Sequence, residues 1–476
     1  MSRGNLEDVF PLSPLQEGIL FQALCHPGSG VYVTQLGWRL RGELDGAALR
    51  RAWQAVADRH RALRTGFVWE SRARPLQVVV GRVAIGWQDE DWRGLEAAEQ
   101  ERAWEQLLAA DRERGFDLAR PPLARLSLLR LAERDHRLLF SFHHAVLDGW
   151  STATVLREVF GLFAAECGGP RPALAPPPSY RDYVSWLRRQ DLSGAEPFFR
   201  QRLSDLEAPT PLGIDRPGVR SGPPRRHVKW QWPLGAPLAA SLALLARRHR
   251  LTQSTLMHGA WALLLGRSSG RDDVVFGTLL SGRPAALAGS EDMVGLFINT
   301  LPLRVALPAR QALPAWLSGL NLELARLREH GHCPLVDVQR WSAVPRTLPL
   351  FESVLIFDNV GLVGLPAGVE LPPGLHVDND FGADQNNLPL TLTVRPDLID
   401  FEYDPDRFHA EAVARLGEEL GILLGLLVGM PEACLGEIAD RLQEIAAERR
   451  SGRVASRARR AFEKLQRPRP GAAAHS

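Results

Sequence analysis

Apolar residues recur along this chain at two different periods. Over Leu138-Leu139-Phe140-Ser141-Phe142 they run almost unbroken, which reads as a buried strand. Soon afterwards Val155, Leu156, Val159, Phe160 and Phe163 fall three and four apart, the spacing of one helix face. Earlier, Asp45 stands where it can cap a helix that carries Leu49, Ala52, Trp53 and Val56 on one side. Residues 31–36 and 123–129 read as strands, the second starting just after Pro121-Pro122. Farther along, 238–251 and 254–265 read as helices, and 274–277 and 353–357 as strands. The longest apolar run, 421–429, is too short to span a bilayer and reads as the buried stripe of a core helix.

This mixture predicts an α/β (α+β) fold. At 476 residues the chain exceeds what one compact core usually holds, so two lobes are expected. The Gly- and Pro-rich stretch 168–178 marks the boundary between them, and a second soft stretch, 209–224, leads into the later lobe. The division is therefore 1–175, 176–447 and a tail, 448–476. From Arg449 to Arg469 the tail carries eight arginines and Lys464 against the single acid Glu463. With Pro468, Pro470 and an Ala-rich end, it reads as a disordered solubilising tail. The sharper alternative is a segment that docks to an acidic partner protein.

Charge and cysteine content exclude several function classes. A net charge of +2 gives no basis for a nucleic-acid or membrane partner. Cys25, Cys167, Cys333 and Cys434 are scattered without framework spacing, which suits a reducing, cytoplasmic setting. No signal peptide is evident at the N-terminus. No metal site is expected, because no Cys or further His stands at ligand spacing from the paired histidines.

Those histidines carry the chemistry. His143-His144-Ala145-Val146-Leu147-Asp148-Gly149-Trp150-Ser151 lies where the strand ends and the helix begins, with Ser151 expected as the helix cap. Imidazole titrates near neutral pH, so it can take a proton from a nucleophile and return it. A pair of satisfied histidines in a structural turn is the bland alternative. In an extended strand neighbouring side chains point to opposite faces, so only one histidine of the pair can face a cleft.

The pattern His-His-x-x-x-Asp-Gly resembles the core motif of the condensation domains of nonribosomal peptide synthetases, within the chloramphenicol-acetyltransferase-like acyltransferases. Other segments resemble further motifs of that family in the same order. They are 11–21, 59–67, 180–186 and 294–304, with looser counterparts at 332–335 and 386–390. The resemblance spans about residues 8–445. It implies two similar lobes forming a V-shaped pseudo-dimer, with the active site in the cleft between them.

The resemblance also implies roles. His144, the second histidine, is the one tied to catalysis, as a base or as a group that orients the amine or the oxyanion. His143 is structural, Gly149 steric and Trp150 a packing residue. Asp148 pairs with Arg283 of Ser281-Gly282-Arg283-Pro284 and fixes the turn. Asn299, Asn387 and Ser151 are candidates to contact substrate or an oxyanion, with backbone capping the competing reading for both asparagines. His60, His332 and Arg64 read as structural.

The implied reaction is attack of an acceptor amine, or a hydroxyl, on an acyl or peptidyl thioester. The donor rides on the phosphopantetheine of a carrier protein; the acceptor is an aminoacyl carrier or a free amine. No cofactor is bound by the chain itself. Heterocyclising relatives replace the histidines with an aspartate pair, absent here, and epimerising relatives differ after Asp-Gly. With Met1 at its start and no adenylation or carrier domain following, a free-standing or excised domain is expected. Two other readings stay open. One is an acyl-CoA-dependent acyltransferase of the same superfamily, of which Asp380-Phe381-Gly382-Ala383-Asp384 is a partial echo. The other is a noncatalytic carrier-docking module.

Overall fold

The computed structural model describes residues 5–70, 74–218, 226–358, 369, 371–383 and 386–449. Almost all of the basic tail, part of the stretch 209–224 and Asp384 lie outside them. The chain begins β1 (Leu6–Pro11), α1 (Pro14–Cys25), β2 (Val33–Arg41), α2 (Gly46–Arg59), β3 (Thr65–Val68) and β4 (Leu76–Val80). It continues through β5 (Gly86–Asp91), α3 (Ala97–Arg114), β6 (Ala124–Ala132), β7 (Asp135–His143), α4 (Gly149–Glu166), α5 (Tyr180–Leu187) and α6 (Ala195–Leu203). Then follow β8 (Val228–Pro233), α7 (Ala236–Arg248), α8 (Gln253–Ser269), β9 (Asp273–Leu280), β10 (Asn299–Ala306), α9 (Leu313–Glu329) and α10 (Leu335–Trp341). The last are β11 (Ser353–Phe357), β12 (His376–Ala383), β13 (Leu390–Val394), β14 (Leu398–Tyr403) and α11 (Ala410–Gly429), before a final helical stretch at 435–449.

Two large sheets organise these elements. The first has the order β12-β2-β7-β6-β5 and the second β10-β9-β11-β13-β14-β8, with a small sheet β1-β4-β3 beside the first. Alternation along β7 explains how the first sheet is covered on both faces. Phe140 packs against Trp53 of α2, with ring centroids 4.6 Å apart. On the other face, Leu139 joins Trp104 and Leu108 of α3 in a separate apolar cluster. Ser141 and Gln35 on that face both donate to the buried carboxylate of Asp111, at 2.6 and 2.7 Å. His143 follows two residues after Ser141, so it shares the α3 side.

In the second sheet, small residues admit a helix. A Cβ at Gly417 or Gly421 of α11 would meet the rings of Trp230 and Trp232 at 2.2 and 2.1 Å. Glycine there lets α11 lie directly on β8. The opposite face of β8 and β14 is polar: Lys229 pairs with Glu402 at 3.2 Å and Arg395 with Asp400 at 2.7 Å.

Two features connect the halves of the chain. β12, which comes from the second half, hydrogen-bonds to β2 and extends the first sheet. The segment between β9 and β10 reaches back to α4 and α5, where Phe297 and Met293 join Phe10, Tyr180 and Tyr183 in one buried cluster. No helix among the described residues is long and apolar enough to cross a membrane.

Candidate functional site

β7 ends at His143 and α4 begins at Gly149, so the histidine motif forms the turn between them. Hydrogen bonds hold that turn from several sides. The His144 N–H donates to Tyr32 O at 2.8 Å, and Gln16 Nε2 donates to Ala145 O at 3.0 Å. Gln16 is itself fixed by a capping box with Ser13 at the start of α1. The first motif thus supports the backbone directly behind the histidine pair.

The two histidines have different environments. His143 is buried, and its Nδ1 accepts a hydrogen bond from Ala145 N at 3.3 Å, which leaves the proton on Nε2. Burial, followed by the neighbouring His144, holds its pKa down to about 3, against an ordinary 6.5. His144 is partly exposed.

A buried neutral imidazole has a measurable consequence. Between pH 6.5 and 3 the unfolded chain binds a proton at His143 that the folded chain does not, so stability falls as pH drops through that window. At pH 5 the expected loss from this residue is about 2 kcal/mol relative to pH 7.5. His258, buried in α8 and held to about 4, works in the same direction. Urea midpoints at pH 7.5 and 5 check this; a midpoint that rose on acidification would contradict it.

Asp148 is the N-cap of α4, its Oδ1 accepting from Ser151 N at 2.8 Å. The expected capping role of Ser151 is therefore corrected, and its candidacy as a substrate contact is corrected too. Ser151 is fully buried, and its hydroxyl donates to Gly295 O at 2.7 Å while accepting from Gly295 N and Arg283 Nη2. Asp148 Oδ2 accepts from Phe297 N at 2.9 Å, and Arg283 Nη2 lies 3.3 Å from Asp148 Oδ1. Arg283 also donates to Ser290 O and Met293 O and lies over the Phe297 ring. Burial lowers the Arg283 pKa and Asp148 opposes that effect.

These contacts clasp the histidine turn to the segment 290–297. Tyr180 and Tyr183 of α5 complete the clasp, donating to Leu296 O and Phe297 O. Gly282, at φ +64°, has a steric role, because a Cβ there would stand 1.7 Å from Phe297 O. Gly149 is the first helical residue, and Trp150, 39% exposed, donates to Glu291 O at 2.9 Å.

The asparagines diverge. Asn299 spends its Nδ2 hydrogens on Gly331 O and Cys333 O, and its Oδ1 accepts from Thr300 N. Its candidacy as an oxyanion donor is thereby corrected to backbone capping. Asn387 instead accepts from the hydroxyl of Tyr32 at 2.9 Å, and the ring of that tyrosine meets His143 edge-on. Arg64 is buried against Glu7 and Val80 O, and His60 meets Glu158 at 2.8 Å. His332 stands edge-on to Trp186.

A cavity of about 650 Å³ opens among α3, β12 and β8, lined by Arg112, Lys229, Arg395 and Glu402 together with Leu108 and Phe381. Arg112 donates to Gln35 Oε1 at 2.8 Å. Gln35 lies two residues along β2 from Val33, the partner of His143. That spacing amounts to about 7 Å of strand.

Sequence reasoning missed Gln16 and Tyr32. Gln16 lay inside a recognised motif but carried no signal of its target. Tyr32 lay in a run read as strand, whereas β2 starts at Val33 and Tyr32 has φ +63°.

Comparison with known proteins fits this geometry. The family profile described as Condensation domain matches residues 6–439. A linear gramicidin synthase of Brevibacillus parabrevis is 39% identical over 437 residues, covering 91% of this chain and 8% of that protein. The chain thus spans under a tenth of that relative's length. A crystal structure of a holo four-domain nonribosomal peptide synthetase bound to AMP and glycine superposes with a TM-score of 0.77 at 20% identity, covering 91% of this chain and 34% of that one. The X-domain from teicoplanin biosynthesis superposes at 0.75 with 25% identity, covering 91% and 98%. A profile match across nearly the whole chain, on a fold that clasps a two-histidine turn, places this protein in the condensation-domain family.

Proposed function

We propose that the site at His144 joins an acyl or peptidyl thioester, carried on the phosphopantetheine of a carrier protein, to an acceptor amine or hydroxyl. The acceptor arrives on a second, aminoacyl carrier or as a free amine, and the reaction belongs in the cytoplasm. The division into lobes 1–175 and 176–447 is part of the same reading, with the clasp and β12 connecting them. The observation that carries it is the contrast within the histidine pair. His143 is buried and neutral, while His144 is partly exposed on a turn held by Tyr32, Gln16 and the Asp148–Arg283 clasp.

In this scheme the amine nitrogen attacks the thioester carbon, a C–N bond forms and the C–S bond breaks. The proton leaves the amine and ends on the departing thiol. His144 takes that proton from nitrogen and returns it to sulfur, the work of an imidazole near neutral pH. The Asn387 carboxamide faces the oxygen of the tetrahedral intermediate as a hydrogen-bond donor. Holding both reactants at the turn contributes as much again, because it converts a bimolecular encounter into a local one.

Donor choice tests this reading. The protein is offered the same acyl group on a carrier protein and on CoA, with a panel of free amines and aminoacyl carriers, and the products are weighed. Amide or ester formed from the carrier thioester is the expected result. Transfer from the CoA thioester alone would instead establish an acyl-CoA acyltransferase, and carrier binding without product a docking module.

A further inference from the structure

Tyr32 occupies a position that acyl transfer by His144 alone does not use. Its backbone has φ +63°, in the left-handed region that bulky residues seldom enter. Such a conformation persists where surrounding contacts over-determine it. Three contacts do so here. The Tyr32 carbonyl accepts from His144 N at 2.8 Å. Its ring meets His143 edge-on, with centroids 6.4 Å apart. Its hydroxyl donates to Asn387 Oδ1 at 2.9 Å, across 355 residues of sequence. One residue therefore touches the backbone of the reactive histidine, the ring of the buried one and an amide from the other half of the chain.

The far side of that last contact is also held firmly. Asn386 Oδ1 accepts from Leu388 N at 2.8 Å, and Asn386 Nδ2 donates to Thr391 Oγ1 at 2.9 Å. His227 Nε2 donates to Leu388 O at 2.7 Å. Both neighbours of Asn387 are thus tied down, and the Tyr32 hydroxyl holds its side-chain amide. A carboxamide has an accepting edge and a donating edge. Turned one way it presents Nδ2 to a developing oxyanion; turned the other way it presents a repelling oxygen.

We propose that Tyr32 is a positioning residue whose hydroxyl holds Asn387 Oδ1 and so aims Asn387 Nδ2 at the thioester oxygen beside His144. This rests on the proposed function, in which Asn387 contacts substrate. Donors oriented before the reaction stabilise the intermediate without reorganising during it. The left-handed backbone lets one residue brace His144 through its carbonyl while its side chain crosses to Asn387.

The test is single-turnover amide formation from an acyl-loaded carrier, measured with thermal unfolding. Tyr32→Phe removes one oxygen and keeps the ring and backbone. It is expected to slow the bound reaction roughly ten- to a hundredfold, with an unchanged unfolding temperature and an apparent KM for loaded carrier within about twofold of wild type. Asn387→Asp keeps an acceptor for the hydroxyl but loses Nδ2, and is expected to be as slow as Asn387→Ala. Adding Tyr32→Phe to Asn387→Ala is expected to change the rate by less than about twofold, because nothing remains to be aimed.

A wild-type rate in Tyr32→Phe, or a loss that multiplies in full with that of Asn387→Ala, overturns the inference. So does an Asn387→Asp protein that matches wild type. The site reading fails separately: it falls if His144→Ala still transfers at the wild-type rate, and stands if His144→Ala is inactive while Tyr32→Phe is not.

Discussion

Arg283→Met is expected to lower the free energy of unfolding by about 3–5 kcal/mol, read as a large fall in the urea midpoint. The size follows from what the substitution leaves behind. Asp148 and Arg283 have side-chain exposures of 1% and 5%, so neither charge has water to fall back on. Without the guanidinium, Asp148 keeps the N–H groups of Ser151 and Phe297 but loses its counter-charge. Ser290 O and Met293 O lose a donor as well. Asp148→Asn leaves the opposite charge uncompensated and is expected to be costly in the same way. Combining Asp148→Asn with Arg283→Met removes both charges, so the double variant is expected to recover part of the loss. A drop below about 0.5 kcal/mol in either single variant would show that the pair does not hold the clasp.

His144→Ala is expected to do the reverse, lowering acyl transfer by roughly a hundredfold to ten-thousandfold while leaving stability nearly intact. His144 is partly exposed, and its hydrogen bond to Tyr32 is made by its backbone, which alanine retains. His143→Ala provides the contrast. That ring is buried against Tyr32, and truncating it opens a cavity under the turn, so stability should fall by about 2 kcal/mol or more. Single-turnover rates and denaturation curves for both variants separate the roles. A His144→Ala protein with wild-type turnover would remove the residue from the chemistry.

Much of this organisation is legible in the sequence wherever one local rule decides the outcome. The run 353–357 is β11, and Asp45 caps α2 with Leu49, Ala52, Trp53 and Val56 buried beneath it. The turn between β7 and α4 follows from a strand-to-helix change of period. Competition between two polar residues is harder to read. Both Asp148 and Ser151 suit an N-cap, and Ser151 loses because Gly295 and Arg283 engage its hydroxyl from a distant segment. Pairing over long separations leaves no local mark. Nothing near 376–383 announces that β12 completes a sheet begun by β2.

The site divides along the same line. His144, Asp148 and Arg283 stand in motifs whose spacing can be recognised. Asn299 resembles a site asparagine, and only the positions of Gly331 and Cys333 reveal it as a cap. Tyr32 is hidden for a backbone reason. A tyrosine before a strand is read as more strand, and no sequence rule puts a bulky side chain in the left-handed region.

The most direct measurement is intact-mass analysis of an acyl-loaded carrier protein mixed with an amine acceptor and either wild type or His144→Ala. With wild type, the carrier should lose the acyl mass and the acceptor gain it; with a folded His144→Ala protein, both masses should stay unchanged over the same interval. Equal transfer by the two proteins, or loss of acyl from the carrier without gain by any acceptor, would contradict condensation at His144.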